Sequence, residues 1–337
     1  MSDVAARTGR LATAAMAAAL LLGISGCEGP QSALTPDGAG ARALATLWWI
    51  MAAGAVVIFL FVIGCAVYAT RVAPRAHPDF AGTWFILGGG VALPVVVLSA
   101  LLTYSFVLGR DLSRAPGPEA LRIEVIGKQW WWEVRYRPPG GGEPVVSANE
   151  LRLPVGEPVE LVLSATDVIH SFWLPAIAGK RDMIPGRTTH LVLEVEEPGI
   201  WRGQCAEYCG GPHALMAFYA IAQAQGDFAA WLEREAQTAK EPDDSFLASG
   251  KALFHESGCG ACHTIRGTPA NGELGPDLTH LGNRHSLAAG ILPNNVGTIA
   301  GWIADAQHIK PANRMPSFNT FTGRELRAIA AYLASLK

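Results

Sequence analysis

The sequence places four candidate metal ligands close together between residues 205 and 216. Cys205, Cys209, His213 and Met216 follow the spacing Cys-x3-Cys-x3-His-x2-Met. Soft sulfur ligands together with imidazole suit copper, and a weak methionine ligand is typical of copper electron-transfer sites. One thiolate would serve a single copper ion, whereas two thiolates can bridge a pair of copper ions. The spacing therefore predicts a copper centre that transfers electrons.

A second imidazole for this centre has to come from a distant segment, and His170 is the candidate. It lies in an apolar and aromatic stretch, where an unpaired imidazole would cost free energy. Simpler interpretations exist for each residue alone: Cys205 and Cys209 as a disulfide in an oxidising compartment, and His170 and Met216 as packing residues. A disulfide, however, does not require histidine and methionine at these offsets, so the joint pattern favours copper.

A second redox site is predicted from Cys259, Cys262 and His263, which form a Cys-x-x-Cys-His motif. This motif is the attachment signature of c-type haem, in which both thiols bond to the haem vinyl groups and the imidazole binds the iron. Met315, which precedes a proline, is the candidate for the other axial ligand, and Met/His ligation raises the potential of haem iron.

Other interpretations of the second motif are weaker. No second cysteine pair follows it for a zinc site, and no βαβ pattern flanks it for a thioredoxin-like redox pair. Four histidines compete with Met315 for the sixth iron position, but none has its Met-Pro context: His255, His280, His285 and His308.

The copper ligands need a rigid scaffold, and residues 121–224 predict a β-rich one. Short alternations of apolar and polar residues occur at 151–153, 159–163 and 191–195, and Pro and Gly separate them. Short strands with frequent turns are typical of an all-β sandwich or barrel.

The haem ligands lie in a region of different periodicity. Residues 225–245 are polar and predict a short helix followed by a linker. Beyond them, apolar residues recur at helical spacing and predict helices over 246–255, 296–307 and 323–336. The C-terminal part of the chain is therefore expected to be all-α.

The N-terminal residues have the pattern of a secretory signal. Arg7 and Arg10 precede an uncharged Ala/Leu-rich stretch that ends at Gly26. Cys27 follows directly, as in a bacterial lipoprotein cleavage box, so residues 1–26 are expected to be removed and Cys27 lipidated outside the cytoplasm. The alternative is a plain signal with an incidental cysteine.

Two uncharged runs, 43–70 and 80–109, are long enough to span a bilayer, since a span needs about 20 apolar residues. The loop between them carries Arg71 and Arg75 with one acid, Asp79, which predicts a cytoplasmic loop. Everything after the second span is then extracytoplasmic.

Composition agrees with a membrane protein and excludes some functions. Of the 337 residues, 50% are hydrophobic and only 16% are charged, and the net charge is −3. Nucleic-acid binding would need a basic patch, and none is present in the sequence. The six cysteines fall at separate sites rather than forming a disulfide framework.

Residues 43–235 resemble subunit II of cytochrome c oxidase. The resemblance rests on the predicted helical hairpin and on four segments, 127–132, 167–175, 182–187 and 205–216. It implies a cupredoxin-like, all-β Greek-key sandwich that holds the dinuclear copper centre CuA. The implied ligands are the candidates above together with the backbone carbonyl of Glu207, whose side chain would reach a magnesium site at the border with subunit I.

The same resemblance assigns a role to one of three consecutive tryptophans. In the family, cytochrome c delivers electrons through a surface tryptophan, and this role falls on Trp130. At least one of Trp130, Trp131 and Trp132 is expected to be a packing residue.

Many relatives carry a glutamate ahead of a tryptophan at a proton-channel mouth before the second span. Here only Asp79 lies near Trp84, at a different offset, so the resemblance assigns no proton role to Asp79.

Residues 246–337 resemble a class I cytochrome c, with the haem-side loop Gly-Pro-Asp-Leu at 275–278. The expected organisation is a signal peptide, an extracytoplasmic segment, a transmembrane hairpin, a CuA domain, a helix with a linker, and a cytochrome c domain. The corresponding ranges are 1–26, 27–42, 43–110, 115–225, 226–245 and 246–337.

Together the two sites imply an electron relay in a bacterial plasma membrane. Electrons from a cytochrome c or a cytochrome bc complex would pass through haem c and CuA to subunit I, which reduces O2 to water while protons are pumped, with subunit III as a further partner. Three alternatives are a quinol oxidase module without CuA, a CuA-type nitric oxide reductase subunit, and a membrane-tethered electron carrier. The intact ligand set argues against the first and the two long spans against the last.

Overall fold

The computed structural model describes residues 29, 31–72, 82–114, 116–117, 120–137 and 142–337. The predicted signal peptide, the lipidation site Cys27 and the loop residue Asp79 lie outside these ranges.

Two long apolar helices precede the rest of the fold. Helix α1 (Ala39–Val67) continues into a π-helical turn at Tyr68–Val72, and the short helix α2 (Thr83–Leu87) leads through a second π-helical turn into α3 (Leu93–Leu112). The stretches Ala39–Arg71 and Gly88–Leu112 are long and apolar enough to cross a membrane, and their most apolar windows are not buried within the chain. The predicted hairpin of two apolar helices is confirmed.

Residues 122–223 form two five-stranded sheets that pack face to face. The strands are β1 Arg122–Lys128, β2 Trp131–Tyr136, β3 Val145–Ala148, β4 Glu150–Pro154, β5 Val159–Ala165, β6 His170–Trp173, β7 Lys180–Met183, β8 Thr189–Leu193, β9 Gly199–Cys205 and β10 Ala217–Gln223. One sheet has the strand order β3-β2-β1-β5-β8 and the other β4-β10-β9-β6-β7. Side chains alternate between the interior and the surface because successive residues of a strand point to opposite faces; Ile123 and Val125 of β1 are buried, as are Leu161 and Leu163 of β5. This confirms the predicted cupredoxin-like sandwich.

The segment before α1 packs against the sandwich. Trp201 Nε1 donates a hydrogen bond to Asp37 Oδ2 at 2.7 Å, and Gly38 forms an antiparallel bridge with Val195. A Cβ atom on Gly38 would lie 2.3 Å from the Ile177 carbonyl oxygen, so only glycine fits this close approach. The start of the first membrane helix is therefore fixed to the β-domain.

Helix α4 (Gln225–Glu235) belongs to the sandwich core rather than to a free linker. Its Phe228 and Trp231 are buried, and both rings pack against Tyr136 of β2 at centroid distances of 6.2 and 5.0 Å. The stretch that separates this core from the next helix is residues 236–244.

The C-terminal region is helical, as predicted. Helices α5 (Ser245–Glu256), α6 (Val296–Ile309) and α7 (Gly323–Ser335) each begin at a residue whose side chain accepts a hydrogen bond from a backbone N–H of the first turn: Asp244, Asn295 and Thr322. Helices α5 and α7 approach closely at Gly250, where a Cβ atom would lie 2.1 Å from the Ala328 carbonyl oxygen. A two-stranded sheet of β11 (Ser286–Leu287) and β12 (Leu292–Pro293) completes this helical domain.

Candidate metal and haem sites

Strand pairing brings His170 to the two cysteines of the predicted copper site. Strands β6 and β9 pair with Phe172 opposite Cys205, which places His170 beside the end of β9. His170, Cys205 and Cys209 are all buried, and His170 Nδ1 lies 3.8 Å from Cys205 Sγ. The two sulfur atoms are 3.9 Å apart, far beyond the 2.05 Å of a disulfide, so the thiols are free to act as ligands.

The other predicted ligands surround the same sulfur atoms. The Glu207 carbonyl oxygen lies 3.2 Å from Cys205 Sγ, while His213 Nδ1 and Met216 Sδ lie 3.5 and 3.8 Å from Cys209 Sγ. A backbone hydrogen bond of 2.9 Å from the Cys205 N–H to the Met216 carbonyl closes this loop. All six groups named from the sequence are therefore contiguous, and their mixture of sulfur and nitrogen suits copper.

Asp167, which sequence reasoning did not assign to the site, orients His170. Its Oδ1 atom lies 2.9 Å from His170 Nε2, so Nδ1 faces Cys205. Desolvation alone would raise the pKa of Asp167, but hydrogen bonds from His170 and from the Gln129 and Val168 amides hold that pKa below its ordinary value. A carboxylate three residues before a ligand histidine is the signal that the sequence offers, since ligand imidazoles usually bond to such a group.

The two thiols differ in pKa. Contact with the Cys209 thiol lowers the pKa of Cys205 to about 4, against the effect of desolvation. The same contact, together with desolvation, raises the pKa of Cys209. Because a metal binds thiolates, loading this site at neutral pH must displace the proton that remains on the pair.

The three consecutive tryptophans have different environments. Trp132 is buried and packs edge-on against Phe172 and Phe218, so it is the expected packing residue. Trp131 lies under the ammonium group of Lys128, 4.9 Å from the ring centroid. Trp130 is only partly buried, and its Nε1 donates a hydrogen bond of 2.9 Å to the Cys209 carbonyl.

The Cys-x-x-Cys-His motif borders an apolar cavity of about 330 Å³. Cys259 lies on a 3-10 turn at Cys259–Ala261, and Met315 lines the same cavity. Two hydrogen bonds of 2.7 Å fix the Met315 backbone, one from its N–H to Asn313 Oδ1 and one from Gln307 Nε2 to its carbonyl. The structure thus brings together Cys259, Cys262, His263 and Met315.

The cavity fits a haem group. His263 Nδ1 is 2.8 Å from the Pro276 carbonyl, which leaves Nε2 free to bind iron, and burial lowers the pKa of this imidazole so that it stays neutral. Arg284, a cavity-lining residue, has a buried Nε atom with no hydrogen-bond partner among the described residues. A Cβ on Gly275 would lie 2.5 Å from the His263 ring, so this approach requires glycine. The described cavity lining includes none of His255, His280, His285 and His308.

The two sites face each other across a domain boundary. Gln129, Trp130 and Trp131 of the sandwich also line the haem-side cavity, next to Lys310 and Arg314 of the helical domain. Trp130 therefore borders the cavity and bonds to a residue of the sulfur cluster at the same time. Sequence reasoning missed Lys310 and Arg314, because charged residues in a polar loop carry no local sign of a partner in another domain.

Comparison with known proteins finds relatives for both domains. The family model described as cytochrome c oxidase subunit II, periplasmic domain, matches residues 144–223, and the cytochrome c family model matches residues 247–337.

The similarity extends over nearly the whole chain. Cytochrome c oxidase subunit 2 of Alkalihalophilus pseudofirmus is 34% identical over 339 residues, covering 94% of this chain and 95% of the relative. Cytochrome c oxidase subunit 2 of Bacillus subtilis is 29% identical over 93% of this chain and 94% of its own length. Among solved structures, the periplasmic domain of subunit II of cytochrome oxidase from Bradyrhizobium japonicum is 33% identical, with a TM-score of 0.33, and covers 36% of this chain and 95% of that domain.

Proposed function

Because the chain belongs to the cytochrome c oxidase subunit 2 family, we propose that it is the electron-accepting subunit of a haem–copper terminal oxidase and carries its own haem. The observation that supports this most directly is the contiguity of the six predicted copper-ligating groups beside a haem-sized cavity. Every group is contributed by a named residue of this chain, so neither site needs a ligand from a partner.

The ligand assignments proposed are those that the geometry favours. CuA would be held by His170, Cys205, Cys209, His213, Met216 and the Glu207 carbonyl, with the exposed Glu207 side chain toward a magnesium site at the border with subunit I. Haem c would be attached through Cys259 and Cys262 and ligated by His263 and Met315. When bound, both groups supply one-electron redox chemistry, with which the chain would pass electrons from haem c to CuA and on to subunit I.

The protein's own contribution is rigidity. Strands β6 and β9 hold His170 against Cys205, and Asp167 fixes the ring of His170. The loop after Cys205 returns to the sheet through the hydrogen bond between Cys205 and Met216. Ligands fixed in this way move little when the charge of the site changes, and filled coordination suits electron transfer better than substrate chemistry.

Trp130 is the proposed point of electron transfer into the sandwich. It borders the haem-side cavity, and its indole N–H bonds to the carbonyl of Cys209. An aromatic ring between two redox sites shortens the gap that an electron has to cross.

Membership of the family supports a proposal for the chain's partners and location. We propose subunit I as the membrane partner that receives the electrons, reduces O2 to water and pumps protons, with subunit III beside it, and a cytochrome c or a cytochrome bc complex as the donor. The helical hairpin at 43–110 would lie in a bacterial plasma membrane, with the copper domain at 115–225 and the cytochrome c domain at 246–337 on the extracytoplasmic side. Residues 1–26 would be cleaved and Cys27 lipidated at the head of the segment 27–42, while the helix and linker at 226–245 join the two redox domains.

The test is the low-temperature paramagnetic resonance of the full chain loaded with haem and copper. We expect a signal from one electron shared by two copper ions, together with a covalently bound low-spin haem. Cys209→Ser should abolish the shared-electron signal and leave the haem unchanged.

The matched control is Cys65→Ser, since Cys65 is an exposed residue of the first membrane helix. It should leave both signals intact. A Cys209→Ser protein with an undiminished two-copper signal would contradict the proposed ligand set.

A further inference from the structure

The side chain of Lys310 crosses from the helical domain to the sandwich. Lys310 follows helix α6, and only 3% of its surface is exposed. Its Nζ atom donates hydrogen bonds to the Trp130 carbonyl at 2.8 Å and to the Ala288 carbonyl at 3.1 Å. The first acceptor belongs to the sandwich and the second to the helical domain. A buried amine is costly unless it is hydrogen-bonded, so this side chain depends on the contact between the domains.

Arg314 makes a second contact beside the proposed haem ligand Met315. One of its terminal nitrogens lies 3.2 Å from Gln129 Oε1 and 3.8 Å from Asp167 Oδ2. Asp167 is the residue that orients His170, and Gln129 Nε2 donates a hydrogen bond to the Cys209 carbonyl. One arginine next to the haem side therefore contacts two residues that support the sulfur cluster.

Further contacts show that this boundary is a built interface. The Ala217 N–H donates to the Ala289 carbonyl at 3.0 Å, and the His285 N–H donates to Glu150 Oε2 at 2.7 Å. Ala288 and Ala289 adopt φ values of 55° and 65°, in the left-handed region that alanine rarely occupies. Such backbone persists only where the surroundings fix it, and here Ala289 is buried against the sandwich.

We infer that Lys310 and Arg314 form an interdomain clamp, a pair of positioning residues that holds the cytochrome c domain on the face of the sandwich around Trp130. This inference rests on the proposed function, because it explains how the haem-side cavity stays beside the sulfur cluster. Residues 236–244 would keep the domains near each other without the clamp. Lys310 contributes more than Arg314, because the arginine side chain is 62% exposed and its ion pair is screened by water.

The test uses hydrogen exchange of the full chain, loaded with haem and copper, in detergent. The backbone amides of Ala217 and His285 report directly on docking, since both donate across the interface. Lys310→Met keeps an unbranched side chain, one heavy atom shorter, and removes both hydrogen bonds. It should raise the exchange rate of these amides by about tenfold to a hundredfold, because exchange follows the undocked population.

A second variant provides the test if Lys310→Met does not fold. Arg314→Glu changes an exposed side chain and places a negative charge opposite Asp167, so it should raise exchange at the same amides severalfold without loss of haem. Both variants should also slow electron transfer from haem to copper within the chain, with the rate measured on protein that retains its haem and copper.

Matched controls come from the same domain. Lys251→Met removes a lysine that pairs with Glu241 of the linker and not with the sandwich, and Arg324→Glu changes an exposed arginine of α7. Neither should alter exchange at Ala217 and His285.

Two kinds of failure remain distinct. If Lys310→Met or, where that variant does not fold, Arg314→Glu leaves both the exchange and the internal electron-transfer rate at wild-type values, the clamp is overturned. If haem and copper exchange no electron in the wild-type chain, the proposed function fails instead, whatever the amides do.

Discussion

At the residue scale, Asp167 connects a proposed copper ligand to the backbone beside Trp130 and to the helical domain. Its Oδ1 atom contacts His170 Nε2, and its Oδ2 atom accepts the Gln129 N–H at 2.7 Å and faces Arg314. The carboxylate therefore fixes the ring of one proposed ligand and the backbone beside Trp130 together. A carboxylate that bonds to a ligand imidazole sets its tautomer and strengthens it as a metal ligand.

Asp167→Asn should weaken copper binding. The amide cannot supply the negative charge that holds His170, so we expect the affinity for copper to fall about 10- to 100-fold. A competition titration with a copper chelator on the haem-loaded chain measures this. Asp182→Asn is the control, because Asp182 accepts a hydrogen bond from Ser171 rather than from a proposed ligand. Equal affinities for the two variants would mean that Asp167 has no special role.

The residues that sequence reasoning found and those that it missed differ in their chemistry. Cys205, Cys209, His213 and Met216 are of uncommon types at close spacing, and His170 stood out as an imidazole in an apolar stretch, so local pattern was sufficient. Lys310 is an ordinary lysine whose partner lies 180 positions away, and only the docked domains give it a role.

At the scale of elements, close helix packing depends on single glycines. Helices α5 and α7 cross at Gly250, which is buried against the backbone of Ala328 and the Cβ of Tyr332. Gly301 of α6 provides a natural comparison, since a Cβ there would meet nothing within 4 Å. Replacing these two helical glycines by alanine is therefore expected to change stability in opposite directions.

Gly250→Ala should destabilise the cytochrome c domain, because its Cβ would lie 2.1 Å from a backbone oxygen and the helices would have to move apart. Overpacking of this kind costs about 1–3 kcal/mol or more. Gly301→Ala should instead stabilise α6 by up to about 1 kcal/mol, since alanine is the better helix former. Denaturant unfolding monitored by haem absorbance measures both. Equal shifts for the two variants would show that the crossing at Gly250 tolerates a methyl group.

Element boundaries were largely predictable, while the packing of helix α4 was not. The helical periodicity gave 296–307 and 323–336, and the structure has Val296–Ile309 and Gly323–Ser335. The polar composition of 225–245 suggested only a short helix and a linker, yet Phe228 and Trp231 bury that helix in the sandwich core. Two aromatic residues three positions apart on one helical face were the available signal.

At the scale of the whole molecule, the domain interface carries a buried titratable group. Desolvation lowers the pKa of Lys310 to about 7, and the nearby Cys209 opposes this shift only in part. The docked and folded state therefore disfavours the protonated amine, whereas in the unfolded chain Lys310 keeps its ordinary pKa near 10.5.

The contribution of Lys310 to the free energy of unfolding therefore increases with pH. The depressed pKa means that the contribution of Lys310 to stability is largest above pH 10.5 and decreases as the pH falls toward 7, although the neutral and the protonated amine can both donate the hydrogen bonds to Trp130 and Ala288. Between these values, wild type should gain up to about 1.4 kcal/mol of unfolding free energy per pH unit relative to Lys310→Met. Denaturant unfolding of the full chain in detergent at pH 7, 8 and 9 tests this. A constant difference between the two proteins across that range would contradict it.

The linker of residues 236–244 keeps the helical domain covalently attached to the sandwich. A carrier that shuttles between proteins must leave after each delivery, so its docking surface has to be weak and its residence time short. A domain attached to its acceptor never has to leave. The buried lysine, the left-handed alanines and the amides that bond across the boundary form a close contact. Under the proposed function, this contact would not have to dissociate between electron transfers.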